Sequence, residues 1–150
     1  MKDMNGATTI TVGSFEHVSL PGLKMDNIIA KIDTGAYSGA VHCTDIKAVR
    51  RQSDGKRVLR FKTSSQDEVF EFEDFKTVKV RSSNGQQIKR YLIETDIIIK
   101  HKKYTIRISL TDRSDMQREV LIGRRFLRSH NMLVDVRINQ ELDNDGGGKI

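Results

Sequence analysis

The residues best equipped for chemistry are Asp33-Thr34-Gly35, a carboxylate, a hydroxyl and a glycine at the end of the apolar run Ile28-Ile29-Ala30-Lys31-Ile32. A carboxylate held in place can take a proton from water in one step of a hydrolysis and return it in the next. Holding it is the task of the run before it. β-Branched residues favour a buried strand, and Gly35 lets the backbone turn where a side chain would clash. A reacting group on a loop fastened to a rigid strand keeps its geometry. Asp and Gly also build ordinary turns, so these three residues need support from elsewhere in the chain.

Support lies near the other end, in Val120-Leu121-Ile122-Gly123-Arg124-Arg125-Phe126-Leu127. Together the two segments resemble the retropepsin-like aspartic peptidases, where a later apolar strand ending in glycine runs beside the Asp-Thr-Gly loop and leads into a short helix. A narrower likeness rests on Glu16-His17-Val18-Ser19-Leu20-Pro21, on residues 30–36 with His42, and on Val80-Arg81-Ser82-Ser83-Asn84-Gly85. It continues through Arg90-Tyr91-Leu92-Ile93, Leu110-Thr111-Asp112-Arg113 with Met116, and residues 121–125. These motifs, in this order, resemble the bacterial family that carries the label ATP-dependent zinc protease, many members of which are associated with ATP-grasp enzymes that add amino acids to proteins or peptides.

The resemblance implies an aspartic-type peptidase in which Asp33 is catalytic, Thr34 bonds across to a second loop, and the Gly35 N–H steadies the carboxylate. It places Ala36, Arg81, Arg90, Arg113 and Arg124 on the substrate side. Arginine recognises carboxylates with two parallel hydrogen bonds, which points to an acidic or glutamate-rich peptide. Two carboxylates held close together share one proton, so one serves as base while the other serves as acid. One Asp-Thr-Gly is present per chain, so the second carboxylate is expected from Asp33 of another copy across a two-fold axis, and a homodimer follows. A competing reading keeps the fold without the chemistry: a binding module whose basic surface docks an acidic protein or RNA.

Composition narrows the classes. The 150 residues suit a single domain over 1–150, with tails at 1–7 and 141–150 too polar to pack. A hydrophobic share of 37% with 31% charged residues is that of a soluble protein, and no apolar run is long enough for a membrane helix. The first residues lack the apolar stretch of a signal peptide, and a lone cysteine, Cys43, forms no internal disulfide, so a cytoplasmic setting is expected. The net charge of +6 attracts acidic partners. Aromatic content of 6%, with no tryptophan and no zinc-finger spacing, disfavours nucleic acid.

No cofactor or metal is expected. His17, His42, His101 and His130 are scattered, His42 and Cys43 face opposite ways on a strand, and no glycine-rich phosphate loop is present.

Along the chain the pattern is mostly β, closing as a barrel-like domain with one or two short helices. Strands are expected over 8–20 with a break at Gly13-Ser14, over 25–32, 38–43, 47–51 and 56–63, and at 68–72. Others are expected over 76–81, 88–99, 104–110, 119–122 and 132–138. Asp54-Gly55 and Asn84-Gly85 mark hairpins, either of which could serve as a flap over the site. A short helix is expected over 124–129.

Overall fold

The computed structural model of the protein describes residues 8–63, 67–81, 84–112 and 117–143. Strands dominate: β1 (Ile10–Val12), β2 (Phe15–Leu20), β3 (Met25–Ile32), β4 (Ala40–Arg50), β5 (Arg57–Thr63) and β6 (Phe70–Phe72) fill the first half. They are followed by β7 (Lys76–Arg81), β8 (Gln87–Ile99), β9 (Lys102–Thr111), β10 (Val120–Ile122) and β11 (Met132–Val134). The helix α1 (Arg124–Ser129) and two 3-10 turns, Pro21–Leu23 and Gln140–Leu142, complete the described elements.

Six strands close on themselves. β3 pairs with β2, β2 with β8, β8 with β9, β9 with β4, β4 with β10, and β10 returns to β3. Closure removes the exposed edges that an open sheet would carry. The expected mostly-β, barrel-like fold is therefore the fold observed. Its interior is apolar: Ile93, Ile97 and Ile99 of β8 and Ile106 and Ile108 of β9 are almost wholly buried. Alternation along these antiparallel partners puts every second side chain inward. Each such isoleucine contributes about 1.5–3 kcal/mol by leaving water.

Two arms leave the ring. β4 runs on into β5 and β6, and the first residues of β8 pair with β7 beyond their last partner on β9. The expected strands over 38–43 and 47–51 are one strand, β4, which begins at Ala40 and shifts register between Thr44 and Lys47. Asp45, at φ 52°, sits in that shift, and the bulge bends β4 out of the ring. β11 ends at Val134, short of the expected 138. There the Asp135 carboxylate accepts the Arg137 N–H at 3.0 Å and its guanidinium at 2.8 Å, and this local turn competes with the extended ladder. The turn between β8 and β9 falls at Lys100 and His101, with φ 53° and 64°, which suits a tight hairpin.

β11 pairs in parallel with β1, tying the end of the described chain to its beginning. Of the expected tails, 1–7 and 144–150 lie outside the described residues, and Glu141 and Leu142 belong to the second 3-10 turn.

Candidate active site

β3 delivers Asp33 to the loop, and the backbone around it is fastened from below. β10 lies between the strand that enters the loop and the strand that leaves it, parallel to β3 (Ile122 beside Ile32) and antiparallel to β4 (Leu121 beside Ala40). Ile32 N–H donates to Ser14 O and Asp33 N–H to Ile122 O, both at 2.8 Å. From the start of α1, Arg124 N–H donates to Ala36 O at 2.8 Å and Arg125 N–H to Tyr37 O at 3.0 Å. The buried Ser109 hydroxyl on β9 donates to Gly39 O at 2.7 Å. The loop therefore has a main-chain or buried side-chain tie at nearly every second residue.

Such a crossing needs residues without side chains at its centre. A Cβ on Gly123 would come within 2.5 Å of Gly39 N and 2.7 Å of the Tyr37 carbonyl carbon. Gly39 itself holds φ +76°, which favours glycine. Gly123, the glycine that ends the later apolar strand, thus lets the two backbones approach closely.

Above this base the candidate groups are accessible. Asp33 is half-buried and Thr34 and Gly35 are exposed. One Asp33 oxygen, Oδ1, accepts the Gly35 N–H at 3.0 Å. Among the described residues Oδ2 has no hydrogen-bond partner, and the carboxylate forms no ion pair. The Thr34 hydroxyl likewise makes no hydrogen bond among the described residues. Clefts of about 350, 210, 550 and 480 Å³ on this chain are lined by other residues, and none of the four includes residues 33–36.

The arginines are spread over several elements. Arg124 reaches the loop itself: its Nη1 donates to Gly35 O at 3.1 Å and lies 3.5 Å from Thr34 O, while its guanidinium carbon sits 5.4 Å from the Tyr37 ring centre. Those contacts make it a brace of the loop as well as a charge beside it. Arg81 and Arg90 stand on the β7–β8 arm. Arg81 pairs opposite Gln87 and Arg90 opposite Val78, so alternation puts the two side chains on opposite faces of the hairpin. Neither makes a hydrogen bond or ion pair among the described residues. Arg113, with Ser82, Ser83 and Met116 of the family motifs, lies outside the described residues.

Three contributors were not singled out from the sequence. Ser14 and Ser109 hold the loop, and Tyr37, 52% exposed, carries Arg124 and Arg125 on its ring. A serine within the apolar run of β9 was the one available signal for Ser109. Cys43 is fully buried, and burial, reinforced by Asp112, pushes its thiol up to about 12, so it packs rather than reacts.

The described residues do not fit a zinc centre. Among the described residues no three His, Cys, Asp or Glu side chains cluster in a way that could hold a metal. His130 packs against the rings of Tyr104 and Phe126, each 4.6 Å away between centres, and burial lowers its proton affinity. No helix among the described residues is long and apolar enough to cross a membrane.

Comparison with known proteins places these features. The model of the family described as RimB-like, retropepsin-like aspartic endopeptidase RimB, matches residues 11–142. A protein of Shewanella pealeana named probable alpha-L-glutamate ligase is 28% identical over 137 residues, 83% of this chain and 28% of that protein. One of the same name from Parasynechococcus marenigrum is 31% identical over 127 residues, 77% of this chain and 26% of its own length. The chain thus spans about a quarter of the length of these curated relatives. The crystal structure of a Legionella pneumophila protein of unknown function superposes with a TM-score of 0.69 at 29% identity, covering 86% of this chain and 95% of that one.

Proposed function

This chain belongs to the RimB-like family of retropepsin-like aspartic endopeptidases, and from that premise we propose that it hydrolyses peptide bonds in glutamate-rich chains with a dyad of two Asp33 carboxylates, one from each subunit of a homodimer. The observation that carries this reading is the state of Asp33. One oxygen is oriented by the Gly35 N–H, the other has no partner among the described residues, and the loop beneath is fastened by β10 and α1. A carboxylate with a fixed position and a spare oxygen suits proton transfer to and from a bound water.

In the cycle the ionised Asp33 of one copy takes a proton from a water held between the two loops. The water oxygen bonds to the scissile carbonyl carbon as the protonated Asp33 of the other copy gives its proton to the carbonyl oxygen. The tetrahedral diol then collapses. A proton passes from a diol hydroxyl to the first carboxylate's partner, the proton taken from water goes to the amide nitrogen, and the C–N bond breaks to release acid and amine. The dyad returns to its singly protonated form, with no metal and no covalent intermediate. Thr34 would bond across to the facing loop, its hydroxyl being available for that purpose.

Substrate chemistry follows from charge and kinship. The net charge of +6, with Arg81 and Arg90 on the hairpin arm making no hydrogen bond or ion pair among the described residues, favours a polyanionic chain. The relatives named as glutamate ligases suggest that the chain cleaved is one such a ligase could build. Ala36, Arg113 and Arg124 complete the proposed contacts with substrate, and a cytoplasmic setting suits the partnership with an ATP-grasp ligase.

The test is cleavage of oligoglutamate and of a neutral peptide of equal length by wild type and Asp33→Asn, with subunit mass measured at the assay concentration. Glutamate-selective cleavage by a dimer, abolished in Asp33→Asn, supports the reading. Equal cleavage by the variant overturns it. Binding without cleavage by a monomer favours a docking module of the same fold.

A further inference from the structure

Glu16 is a buried carboxylate outside the site, only 5% exposed, in a position where charge is seldom tolerated without partners. Its Oε2 accepts the Gly13 N–H at 2.7 Å and the Asn139 side-chain amide at 3.1 Å, with Lys100 Nζ 3.7 Å away. The same Asn139 amide donates to Phe15 O at 2.8 Å. These contacts bind the bend between β1 and β2 to the segment that follows β11. Other ties join the same two stretches: Ser14 N–H to Ile138 O at 3.3 Å, the Ser14 hydroxyl to Val136 O at 3.1 Å, and Asp135 N–H to Val12 O at 2.9 Å. The approach is close enough that a Cβ on Gly13 would come within 2.8 Å of the Ile138 carbonyl carbon.

The bend held in this way is the one whose Ser14 carbonyl anchors Ile32, the residue before Asp33. We propose that Glu16 and Asn139 are positioning residues: their clasp holds the Ser14 carbonyl in place and through it sets the Asp33 loop, without touching substrate. The functional half of this inference rests on the peptidase reading above. The structural half stands by itself. A displacement of the order of 1 Å at a reacting group is enough to cost up to about a hundredfold in rate, so a clasp one strand away has leverage.

Asn139 offers a clean test because its backbone is left-handed, φ 61°. Asn139→Gly removes both side-chain donors and relieves, instead of adding, backbone strain. Asn139→Asp keeps the shape but turns an acceptor towards the Glu16 carboxylate and the Phe15 carbonyl. Backbone amide exchange and oligoglutamate turnover are measured on the full chain for both. In Asn139→Gly, exchange at Ile32 and Asp33 rises about tenfold while amides of the β8–β9 ladder stay within about twofold. The kcat falls about tenfold with KM within about twofold, and Asn139→Asp shows the larger change in both measurements. Unchanged exchange at Ile32 and Asp33, or an equal rise across the barrel, overturns the clasp as a device aimed at the loop. An unchanged kcat alongside local loosening overturns its role in turnover. Should wild type cleave nothing, that counts against the peptidase reading, and the exchange pattern still decides the clasp.

Discussion

Asp33 and Asp54 both stand in turns with a glycine one or two residues on, and in both the carboxylate accepts the N–H two residues ahead, Gly35 at 3.0 Å and Lys56 at 3.0 Å. Their surroundings then diverge. Asp54 is gripped by Nε and Nη2 of Arg51, at 3.1 and 2.6 Å, and the same arginine reaches Glu71 and Glu73. Arg51 holds the Asp54 carboxyl down to about 2, helped by the Lys56 N–H. Asp33 has no such counter-ion among the described residues and keeps an oxygen to spare. The loops are also held differently. Residues 51–56 close on themselves, with Arg51 and Lys56 bonded at 2.8 Å and Gly55 to Arg51 at 2.7 Å, whereas residues 33–39 are tied to β10, α1 and β9. One turn spends its acid on local structure. The other borrows rigidity from distant elements and leaves its acid available for chemistry.

The sharpest break of this contrast is charge removal. Asp33→Asn keeps an oxygen for the Gly35 N–H and so keeps the fold, but oligoglutamate cleavage falls by about a thousandfold or more. Asp54→Asn leaves cleavage within about twofold. Comparable losses would erase the distinction between the two acids. Next in size is the response of the two glycines. Gly123→Ala drives a methyl into Gly39 and Tyr37 and costs about 3 kcal/mol or more, read as a lowered denaturation midpoint. Gly55→Ala meets nothing within 4 Å and suffers the left-handed strain of φ +73° alone, about 1–2 kcal/mol.

Substrate grip is a smaller effect, and it separates the fixed loop from the β7–β8 arm. Arg81→Ala and Arg90→Ala each raise KM for oligoglutamate about three- to tenfold, with kcat nearly constant and a weaker dependence on salt. A fall in kcat at constant KM would move these arginines from substrate binding into the chemistry. The smallest effect is at acid pH. Because folding depresses the Asp54 carboxyl, its stabilising contribution is present above the ordinary value of 3.8 and is lost as pH falls through about 2. The thermal midpoint of wild type therefore drops more steeply over that window than that of Asp54→Asn. Parallel curves would remove the Arg51 pairing from the stability of the turn.

Much of the architecture was readable locally. β3 and α1 have the bounds that pattern and glycine placement predict, and Asp54-Gly55 and Asn84-Gly85 lie between paired strands as such dipeptides should. These features depend on residues within a few positions of one another. The overreach at residues 135–138 is also local in origin: an aspartate bonding its own backbone looked no different from one more polar strand residue. Asp33 as a candidate acid was visible for the same reason, since a β-branched run ending in Asp-Thr-Gly states its own geometry.

Sequence by itself thus determined where most segments extend and turn, and which carboxylate a strand presents, though not the ends of β4 and β11. Tertiary structure decided what each acid is worth. That Glu16 is buried and clasped by Asn139, 123 positions away, that Arg124 braces the loop, and that Ser109 supports Gly39 from 70 positions away depend on how the barrel closes. The physical reason is that a side chain's burial and partners are set by strands brought together in space. A residue's neighbours in the chain specify its conformation, but not the charge or the hydrogen-bond donor that arrives from the other end.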